Sequence, residues 1–260
     1  MTILDQLADH AKERIRQAKQ QISPDEMRRK ALERGRGNFE FEKALRKPGI
    51  SFICECKKAS PSKGIIDKEF RYQQIAMEYE EAGADCISVL TEPKWFLGSD
   101  EYLREIALAV SIPCLRKDFT IDEYMIYQAK VLGASAVLLI CSILSGGQLK
   151  EYLSVCDDLG VSALVEVHDE NEVQMAMDCH ARMVGVNNRN LKDFSVDMGN
   201  SKRLREMVSR EVLFVAESGV KGGEDIKKLR EIGADAVLVG EILMRAGDKK
   251  GKLEELRGII

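Results

Sequence analysis

The feature that most constrains the fold of this chain is a regular alternation of short apolar runs with longer amphipathic segments, beginning near residue 50. The apolar runs predict eight strands, at 50–57, 86–91, 112–117, 136–142, 162–168, 183–188, 212–217 and 236–240. The segments between them predict helices at 68–82, 100–109, 122–132, 146–158, 169–178, 200–208 and 222–232, and 241–257 adds one or two helical turns. Such crossover helices are what parallel strands need as connections.

Eight βα units in 260 residues favour a closed (βα)8 barrel, the TIM-barrel fold, over an open doubly wound sheet. An internal repeat supports this interpretation, because Gly-Ala-Asp or Gly-Ala-Ser precedes three of the apolar runs, at 83–85, 133–135 and 233–235. Each of these glycines is expected to end a helix in the left-handed conformation and to turn the chain into the next strand.

Residues 1–47 precede the eight units and are predicted to be a helical extension within one barrel domain that spans residues 1–260. An amphipathic stripe that includes Leu4, Leu7 and Ile15 begins the extension, and Ser-Pro-Asp-Glu at 23–26 is a good start for a helix over 25–34. The extension can have either of two roles. It can close the bottom of the barrel, or it can help to cover the active site.

Composition and charge exclude several classes of protein. The longest unbroken apolar run is 136–141, far shorter than the roughly 20 residues that span a bilayer, and residues 1–20 contain no apolar block typical of a secretory signal. A formal net charge of −4 argues against a general nucleic-acid binder. We therefore expect a cytoplasmic protein that binds neither membranes nor nucleic acid.

The seven cysteines do not predict a metal or redox site. They include no Cys-x-x-Cys pair, the spacing that usually brings two thiol ligands together from one turn. Cys54 and Cys56 are instead expected to be small buried apolar residues, on the face of the first strand opposite Glu55 and Lys57.

Charged, amide and hydroxyl side chains collect at the predicted C-terminal ends of the strands, where a barrel forms its active site. The set comprises Glu55, Lys57, Thr91, Glu92, Lys117, Asp118, Glu166, His168, Asn187, Arg189, Glu217 and Ser218. Because buried charges are costly unless they are paired or used, this pattern indicates a catalytic centre. A lysine there suits either a Schiff base or a general acid, and the pattern does not choose between them. His168 is expected at the rim rather than as the main base, and His180 at the surface.

Glycine-marked turns follow the seventh and eighth predicted strands, at 218–223 and 239–241, and both run directly into helices. Backbone N–H groups at such turns favour a phosphate dianion, and barrels often hold phosphate at this position. The short polar loop 60–64 adds a hydroxyl from Ser60. The residues therefore predict a small phosphorylated substrate.

The sequence ECKKASPSKG at 55–64 resembles the first-strand signature of the indole-3-glycerol phosphate synthase family of tryptophan biosynthesis. The resemblance continues in family order through LTE at 90–92, FLGS at 96–99, LRKDF at 115–119, LVEVH at 164–168, GVNNRNL at 185–191, AESG at 216–219 and VGE at 239–241. It covers essentially the whole chain. It implies conversion of 1-(2-carboxyphenylamino)-1-deoxyribulose 5-phosphate into indole-3-glycerol phosphate, carbon dioxide and water, with no cofactor and no metal.

The resemblance also implies roles for the catalytic residues. Lys117 would be the general acid that protonates the carbonyl oxygen of the substrate, and Glu166 would be its acid–base partner. Lys57, oriented by Glu55, would contact the anthranilate carboxylate and deliver a proton during dehydration. We further expect a lowered pKa for Lys117, as for a partly desolvated lysine among other cations.

The remaining roles that the resemblance implies concern binding. The polar groups of the substrate would be held by Asn187, Arg189, Glu217 and Ser218. Its anthranilate ring would pack against Phe96, Phe119 and Leu138, although Leu138 also suits a plain core position. Its phosphate would be bound by Ser60, Gly219, Gly240 and the backbone N–H of Glu241. This anthranilate-derived substrate is the expected partner, and the protein is expected to be a monomer or weak homodimer.

Two alternatives remain open. Another phosphate-binding barrel, such as an isomerase or aldolase, would keep the glycines after the last two strands, but would not be expected to combine E-x-K-x-x-S-P-S, L-R-K-D-F and N-N-R-N-L. A non-catalytic barrel that only binds its ligand would be expected to lack Lys117 or Glu166, and both are present.

Overall fold

Eight parallel strands form a closed barrel in the computed structural model, which describes residues 3–190 and 194–258. The strands are β1 (Ser51–Cys56), β2 (Cys86–Leu90), β3 (Cys114–Lys117), β4 (Ala136–Ile140), β5 (Ser162–Val167), β6 (Met183–Asn187), β7 (Leu213–Glu217) and β8 (Ala236–Val239). Each strand pairs with its neighbours in chain order, and β8 closes the barrel against β1, with Ser51 opposite Ala236. The predicted TIM-barrel fold is confirmed.

Helices cover the outside of the barrel and precede it. The extension contains α1 (Ile3–Gln21), α2 (Pro24–Glu33) and α3 (Glu40–Leu45). The helices after the strands are α4 (Tyr72–Glu81), α5 (Asp100–Ala109), α6 (Glu123–Leu132), α7 (Gly146–Leu159), α8 (Glu170–Asp178), α9 (Gly199–Arg205), α10 (Gly223–Glu231), α11 (Glu241–Met244) and α12 (Lys249–Arg257). A short antiparallel pair, Ala59–Ser60 with Gly64–Ile65, follows β1, and a 3-10 turn, Cys141–Ile143, follows β4. None of the helices described here has the length and apolar character needed to cross a membrane.

Among the helices that differ from their predicted bounds, two do so where side chains interrupt the backbone pattern. The helix predicted from residue 68 begins at Tyr72, since the Asp67 carboxylate accepts hydrogen bonds from the N–H groups of Glu69 and Phe70. Phe70 also has a left-handed φ of 39°. In the last segment α11 and α12 are separate helices, and the Asp248 side chain caps the second.

The glycines of the internal repeat have the predicted conformation. Gly83, Gly133 and Gly233 have φ values of 86°, 96° and 76°, the left-handed region that glycine enters at no steric cost. Each ends its helix and directs the chain into a strand, so this part of the prediction is confirmed.

Alternating strand residues divide the core into an inner and an outer layer, as the pleat requires. On β1, Ile53 packs inside the barrel with residues such as Leu115 and Leu164, whereas Cys54 and Cys56 pack outward under the helices. Both thiols are free and fully buried, and burial raises the pKa of Cys54 to about 12. The prediction that these cysteines are buried apolar residues is confirmed.

The N-terminal extension contacts both ends of the barrel through different helices. At the C-terminal end of the strands, α1 contacts Glu92 through the imidazole of His10, at 3.0 Å, and forms an ion pair from Arg14 to Asp118. At the opposite end, α3 packs against the inner core, and the N–H of Glu42 donates to the hydroxyl of Ser162 at the start of β5. α3 thus closes the bottom of the barrel, whereas α1 is attached at the end where the strands terminate.

Candidate active site

A cavity of about 760 Å³ opens at the C-terminal ends of the barrel strands. Every residue that the sequence places in a catalytic, substrate-binding or phosphate-binding role lines this cavity. These are Glu55, Lys57, Ser60, Phe96, Lys117, Phe119, Leu138, Glu166, Asn187, Arg189, Glu217, Ser218, Gly219, Gly240 and Glu241. The strand ends converge as the barrel requires, so these side chains face a common space.

Lys117 lies between two carboxylates at the centre of this cavity. Its Nζ is 3.2 Å from Oε2 of Glu166 and 3.3 Å from Oε2 of Glu217, so an ammonium from β3 bridges β5 and β7. The amide of Asn187 on β6 donates a hydrogen bond of 3.3 Å to the other oxygen of Glu166. Because the Lys117 side chain is only 15% exposed, water screens these interactions poorly.

The prediction of a lowered pKa for Lys117 is wrong. Burial does lower its pKa, but the carboxylates of Glu217, Glu166 and Glu55 outweigh burial and raise it above the ordinary 10.5. The charges nearest to the ammonium are therefore anions rather than other cations. Lys117 is held as an ammonium, which suits proton donation to an oxygen and disfavours the free amine that an imine mechanism needs.

The two carboxyl groups beside Lys117 differ in protonation. The pKa of Glu217 is raised to about 7, chiefly by burial and also by nearby Glu166, against the opposing effect of Lys117. For Glu166, burial is outweighed by Lys117, His168 and the hydrogen bond from Asn187, so its pKa lies below the ordinary 4.5. Environments that separate the pKa values of neighbouring carboxyl groups are typical of acid–base sites. Glu217, which the resemblance placed among the binding groups, therefore also suits proton exchange near neutral pH.

Glu55 and Lys57 form an ion pair of 2.6 Å on the inner face of β1, as their period-two spacing predicts. Gly240 makes room for this pair, because a Cβ atom there would lie 2.5 Å from Oε1 of Glu55 and 3.0 Å from Nζ of Lys57. The missing side chain at Gly240 therefore serves the Glu55–Lys57 pair as well as any phosphate that approaches the backbone.

The predicted phosphate-binding residues lie together on one side of the cavity. Gly219 has a φ of 93°, and a Cβ atom there would lie 2.6 Å from both Val196 Cγ1 and Met198 Sδ. The Glu241 carboxylate turns toward Arg245, whose Nε is 3.1 Å away, and toward Lys63, whose Nζ is 3.9 Å away. Among its groups, the Glu241 backbone N–H is thus the one suited to an anion, as the sequence analysis expected.

The aromatic side of the cavity is built by Phe96 and Phe119, whose ring centroids are 6.1 Å apart. Phe96 belongs to a loop after β2 that the buried carboxylate of Glu92 fixes, by accepting hydrogen bonds from the N–H groups of Lys94, Trp95 and Phe96. A flat aromatic ring would find apolar contact on this side.

Some polar residues at the strand ends hold the structure together rather than take part in the reaction. The Asp118 carboxylate bonds to Arg14 at 2.6 Å and to the hydroxyl of Thr91 at 2.5 Å, so it anchors α1 and β2 beside Lys117. His168 does not line this cavity but lies behind Glu166, with Nε2 3.4 Å from Oε1 of that residue. His180 is exposed, as expected.

Gly185 is a site residue to which the sequence analysis gave no role. A Cβ atom at this position on β6 would collide with Oε1 of Glu217, so glycine is required for the Glu217 carboxyl to fill its position. A glycine inside a strand is a recognised signal of such close approach. In the motif that begins at Gly185, Leu191 lies outside the described residues.

Comparison with known proteins identifies the family. A model of the family described as "Indole-3-glycerol phosphate synthase" matches residues 4–256. An indole-3-glycerol phosphate synthase of Ruminiclostridium cellulolyticum is 54% identical over 257 residues, which are 98% of this chain and 99% of that protein. Another, of Endomicrobium trichonymphae, is 52% identical over 256 residues, with 98% and 99% covered.

Solved structures agree on the fold. The 3-hexulose-6-phosphate synthase of Salmonella typhimurium superposes with a TM-score of 0.66 at 14% identity, over 81% of this chain and 98% of that one. A chain of the tryptophan synthase complex of Pyrococcus furiosus superposes with a TM-score of 0.60 at 17% identity, over 80% of this chain and 98% of its own length. The match of the family model and of the relatives over nearly their full length decides the assignment. This chain belongs to the indole-3-glycerol phosphate synthase family.

Proposed function

We propose that this protein closes the indole ring of indole-3-glycerol phosphate from 1-(2-carboxyphenylamino)-1-deoxyribulose 5-phosphate, with loss of carbon dioxide and water. The observation that carries the proposal is the Lys117 ammonium, which lies between the carboxylates of Glu166 and Glu217 in a cavity with separate aromatic and glycine-lined sides. An ammonium fixed in this way stabilises negative charge that develops on a carbonyl oxygen.

In the first step Lys117 gives a proton to the carbonyl oxygen of the substrate while an aromatic carbon attacks the carbonyl carbon. One C–C bond forms, and the C–O double bond becomes a hydroxyl. The carboxylate on the attacking carbon then leaves as carbon dioxide, and its electron pair restores the aromatic ring. Glu217, with a pKa of about 7 and an oxygen 3.3 Å from Lys117, suits the return of a proton to this lysine.

In the second step the new hydroxyl leaves as water and the indole double bond forms. Glu166 accepts the proton that the ring CH2 carbon beside the nitrogen releases, and Lys57 supplies a proton to the leaving hydroxyl, while the ring nitrogen keeps its hydrogen. The contact of 2.6 Å with Glu55 orients Lys57 for this transfer, and Asn187 orients Glu166. One proton is taken up and one released, so the step is balanced without an external acid or base.

The two sides of the cavity hold the two ends of the substrate. Phe96, Phe119 and Leu138 pack against the anthranilate ring, and Arg189 and Ser218 hold polar groups between the ends. The phosphate binds at Ser60, Gly219, Gly240 and the N–H of Glu241. The guanidinium of Arg189 is held by a hydrogen bond of 3.0 Å to the carbonyl of Phe194, which supports a fixed binding geometry.

Substitution of the central pair tests these roles. Lys117→Met keeps most of the apolar stem, and Glu166→Gln keeps the shape of the carboxyl group. Each should lower kcat by roughly 10²–10⁴-fold while KM changes far less, because both residues act in the transition state. Steady-state kinetics measures this, with Lys227→Met on the exposed face of α10 as the matched control.

A covalent route gives a different result. If Lys117 formed an imine with the substrate carbonyl, borohydride would trap a lysine adduct when substrate is present. We expect no adduct. Trapping at Lys117, or a Lys117→Met protein with near-normal kcat, would contradict the assignment.

We further propose that the protein acts in the cytoplasm as a monomer or weak homodimer and binds no nucleic acid. A net charge of −4 supports the last point, and free cysteines with buried thiols support a reducing compartment. The exposed large hydrophobic residues that the structure describes lie on separate elements, among them Leu32 on α2 and Met207 after α9, which supports a small or absent interface.

A further inference from the structure

His168 is a partly buried titratable residue that the mechanism above does not use. It directly follows β5, two residues after Glu166, and its side chain is 17% exposed. It also lines a second cavity, of about 550 Å³, which shares Asn187 and Arg189 with the wall of the active-site cavity. Its imidazole therefore stands behind Glu166, between the catalytic centre and a separate polar space.

One ring nitrogen of His168 has an assigned hydrogen-bonding role. Nδ1 is 3.1 Å from Oε2 of Glu172 and 3.2 Å from the hydroxyl oxygen of Ser142. The Ser142 hydroxyl gives its only hydrogen to Oε1 of Glu172, at 2.5 Å, so its oxygen faces Nδ1 as an acceptor. A carboxylate and an acceptor oxygen on the same nitrogen require Nδ1 to carry a hydrogen.

The fixed position of Glu172 strengthens this assignment. Its Oε2 also accepts a hydrogen bond of 2.7 Å from the backbone N–H of His168, and its own N–H donates to the side chain of Asp169 at the start of α8. The Glu172 carboxylate is thus held by several contacts and cannot turn away from the imidazole without losing them.

The other ring nitrogen faces the catalytic carboxylate. Nε2 lies 3.4 Å from Oε1 of Glu166 and makes no hydrogen bond with any residue in the described parts of the chain. In a neutral imidazole with hydrogen on Nδ1, Nε2 would present a lone pair to that oxygen. In an imidazolium it presents an N–H, and the contact becomes attractive.

The charged groups around His168 are mostly anionic. They are Glu166 on β5, Glu172 on α8, Glu217 on β7, the adjacent Asp169, and Arg189 after β6 on the wall of the second cavity. Burial lowers the pKa of His168, but the hydrogen bond to Glu172 and the charges of Glu166, Glu172 and Glu217 raise it above the ordinary 6.5.

We propose that His168 is a positioning residue that works as an imidazolium, clamped between Glu172 and Glu166, and that it keeps Glu166 ionised and oriented as the base. The inference rests on the proposed role of Glu166 in ring closure. It assigns to His168 no contact with the substrate. Loss of the positive charge should therefore change the pH range of the enzyme rather than remove activity.

The pH dependence of kcat/KM tests the proposal. His168→Gln removes the charge but keeps a polar side chain, so the apparent pKa of the acid limb should rise by about one unit, as expected for an opposite charge at this distance. At pH values below this apparent pKa, the kcat/KM of His168→Gln should be about tenfold lower than that of the wild type. At higher pH the two values should agree to within a few-fold. His180→Asn is the matched control, because this exposed histidine has a φ of 60° that asparagine tolerates.

A second measurement is independent of turnover. In the intact protein without substrate, an NMR titration should show a pKa for His168 above the ordinary 6.5, and Glu172→Gln should lower it. A protein that fails to close the indole ring, yet shows these titrations, would contradict the proposed function and leave the imidazolium clamp supported. An unshifted acid limb, an equal loss of kcat/KM at all pH values, or titration of His168 at or below 6.5 would each overturn the clamp.

Discussion

Lys117 shows how far single residues depend on their surroundings. Its position at a strand end was sufficient to predict that it faces the cavity, because the barrel directs strand ends to one mouth. Its pKa was not predictable in this way, since the carboxylates that raise it come from Glu55, Glu166 and Glu217, which are distant in sequence. Such pKa shifts depend on distances between side chains of different strands, and the periodicity of the sequence gives no information about these distances.

Glu217 and Gly185 illustrate the same limit. The sequence analysis included Glu217 as a binding residue but did not identify it as the carboxyl group with a pKa near 7. That property depends on full burial beside Glu166, and on a glycine in the next strand that leaves space for the carboxyl group. The sequence shows a glycine at position 185, but it does not show that this glycine lies against the Glu217 carboxyl group.

The raised pKa of Glu217 predicts a pH-dependent cost to stability. The folded protein binds the Glu217 proton more tightly than the unfolded chain, so the stability from this group is complete below about pH 4.5 and is lost as the pH rises through about 7. Glu217→Gln removes the titration. The variant should therefore gain stability over the wild type between pH 4.5 and pH 8, by up to about 3 kcal/mol.

Urea unfolding at several pH values measures this gain, with Glu231→Gln on the surface as the control. A stability difference between Glu217→Gln and the wild type that is the same at pH 5 and pH 8 would mean that Glu217 titrates normally in the folded protein.

At the scale of elements, the strands were predicted to within two residues, because buried parallel strands are short apolar runs between turn signals. Helix boundaries set by side chains, such as the start of α4 after Asp67, were not. The short helix α3 and the strand pair after β1 were also missed, since two to six residues are too few for a periodic pattern.

The placement of the N-terminal helices could not be read from the sequence either. Both ends of a barrel expose apolar core to a covering helix, so an amphipathic stripe fits either end. The choice is made by specific partners, above all by Arg14, which reaches the fully buried carboxylate of Asp118 next to Lys117. Helix α1 thus holds the end of β3, which carries Lys117, in place from outside the barrel.

Arg14→Met should therefore weaken both stability and catalysis. It leaves the Asp118 carboxylate with Thr91 and Arg116, and breaking a buried ion pair of this kind costs up to about 3 kcal/mol. We expect a lower Tm and a reduced kcat, because the Lys117 end of β3 is less firmly held. Thermal unfolding and steady-state kinetics measure the two effects.

Arg16→Met provides the matched control on the same helix, since Arg16 pairs with Glu13 at an exposed position where water screens the pair and it contributes little to stability. If Arg14→Met and Arg16→Met are equally stable and equally active, α1 does not support the active site through this ion pair.

At the scale of the whole molecule, the two ends of the barrel have different tasks. One end carries the ionisable groups and the cavity, and the other is closed by α3 and tied by contacts such as the hydrogen bond from Glu42 to Ser162. This division was predictable once the fold was known, because the C-terminal ends of barrel strands hold the active site. It places acid–base groups, aromatic surface and glycine turns within reach of one substrate.

The most direct test of this account is turnover by the intact protein. The protein is incubated with 1-(2-carboxyphenylamino)-1-deoxyribulose 5-phosphate at neutral pH, without added metal or cofactor, while indole fluorescence and released carbon dioxide are recorded. We predict that fluorescence rises as one carbon dioxide is released per indole formed. If the substrate is bound but neither indole nor carbon dioxide appears, ring closure is not the reaction of this protein.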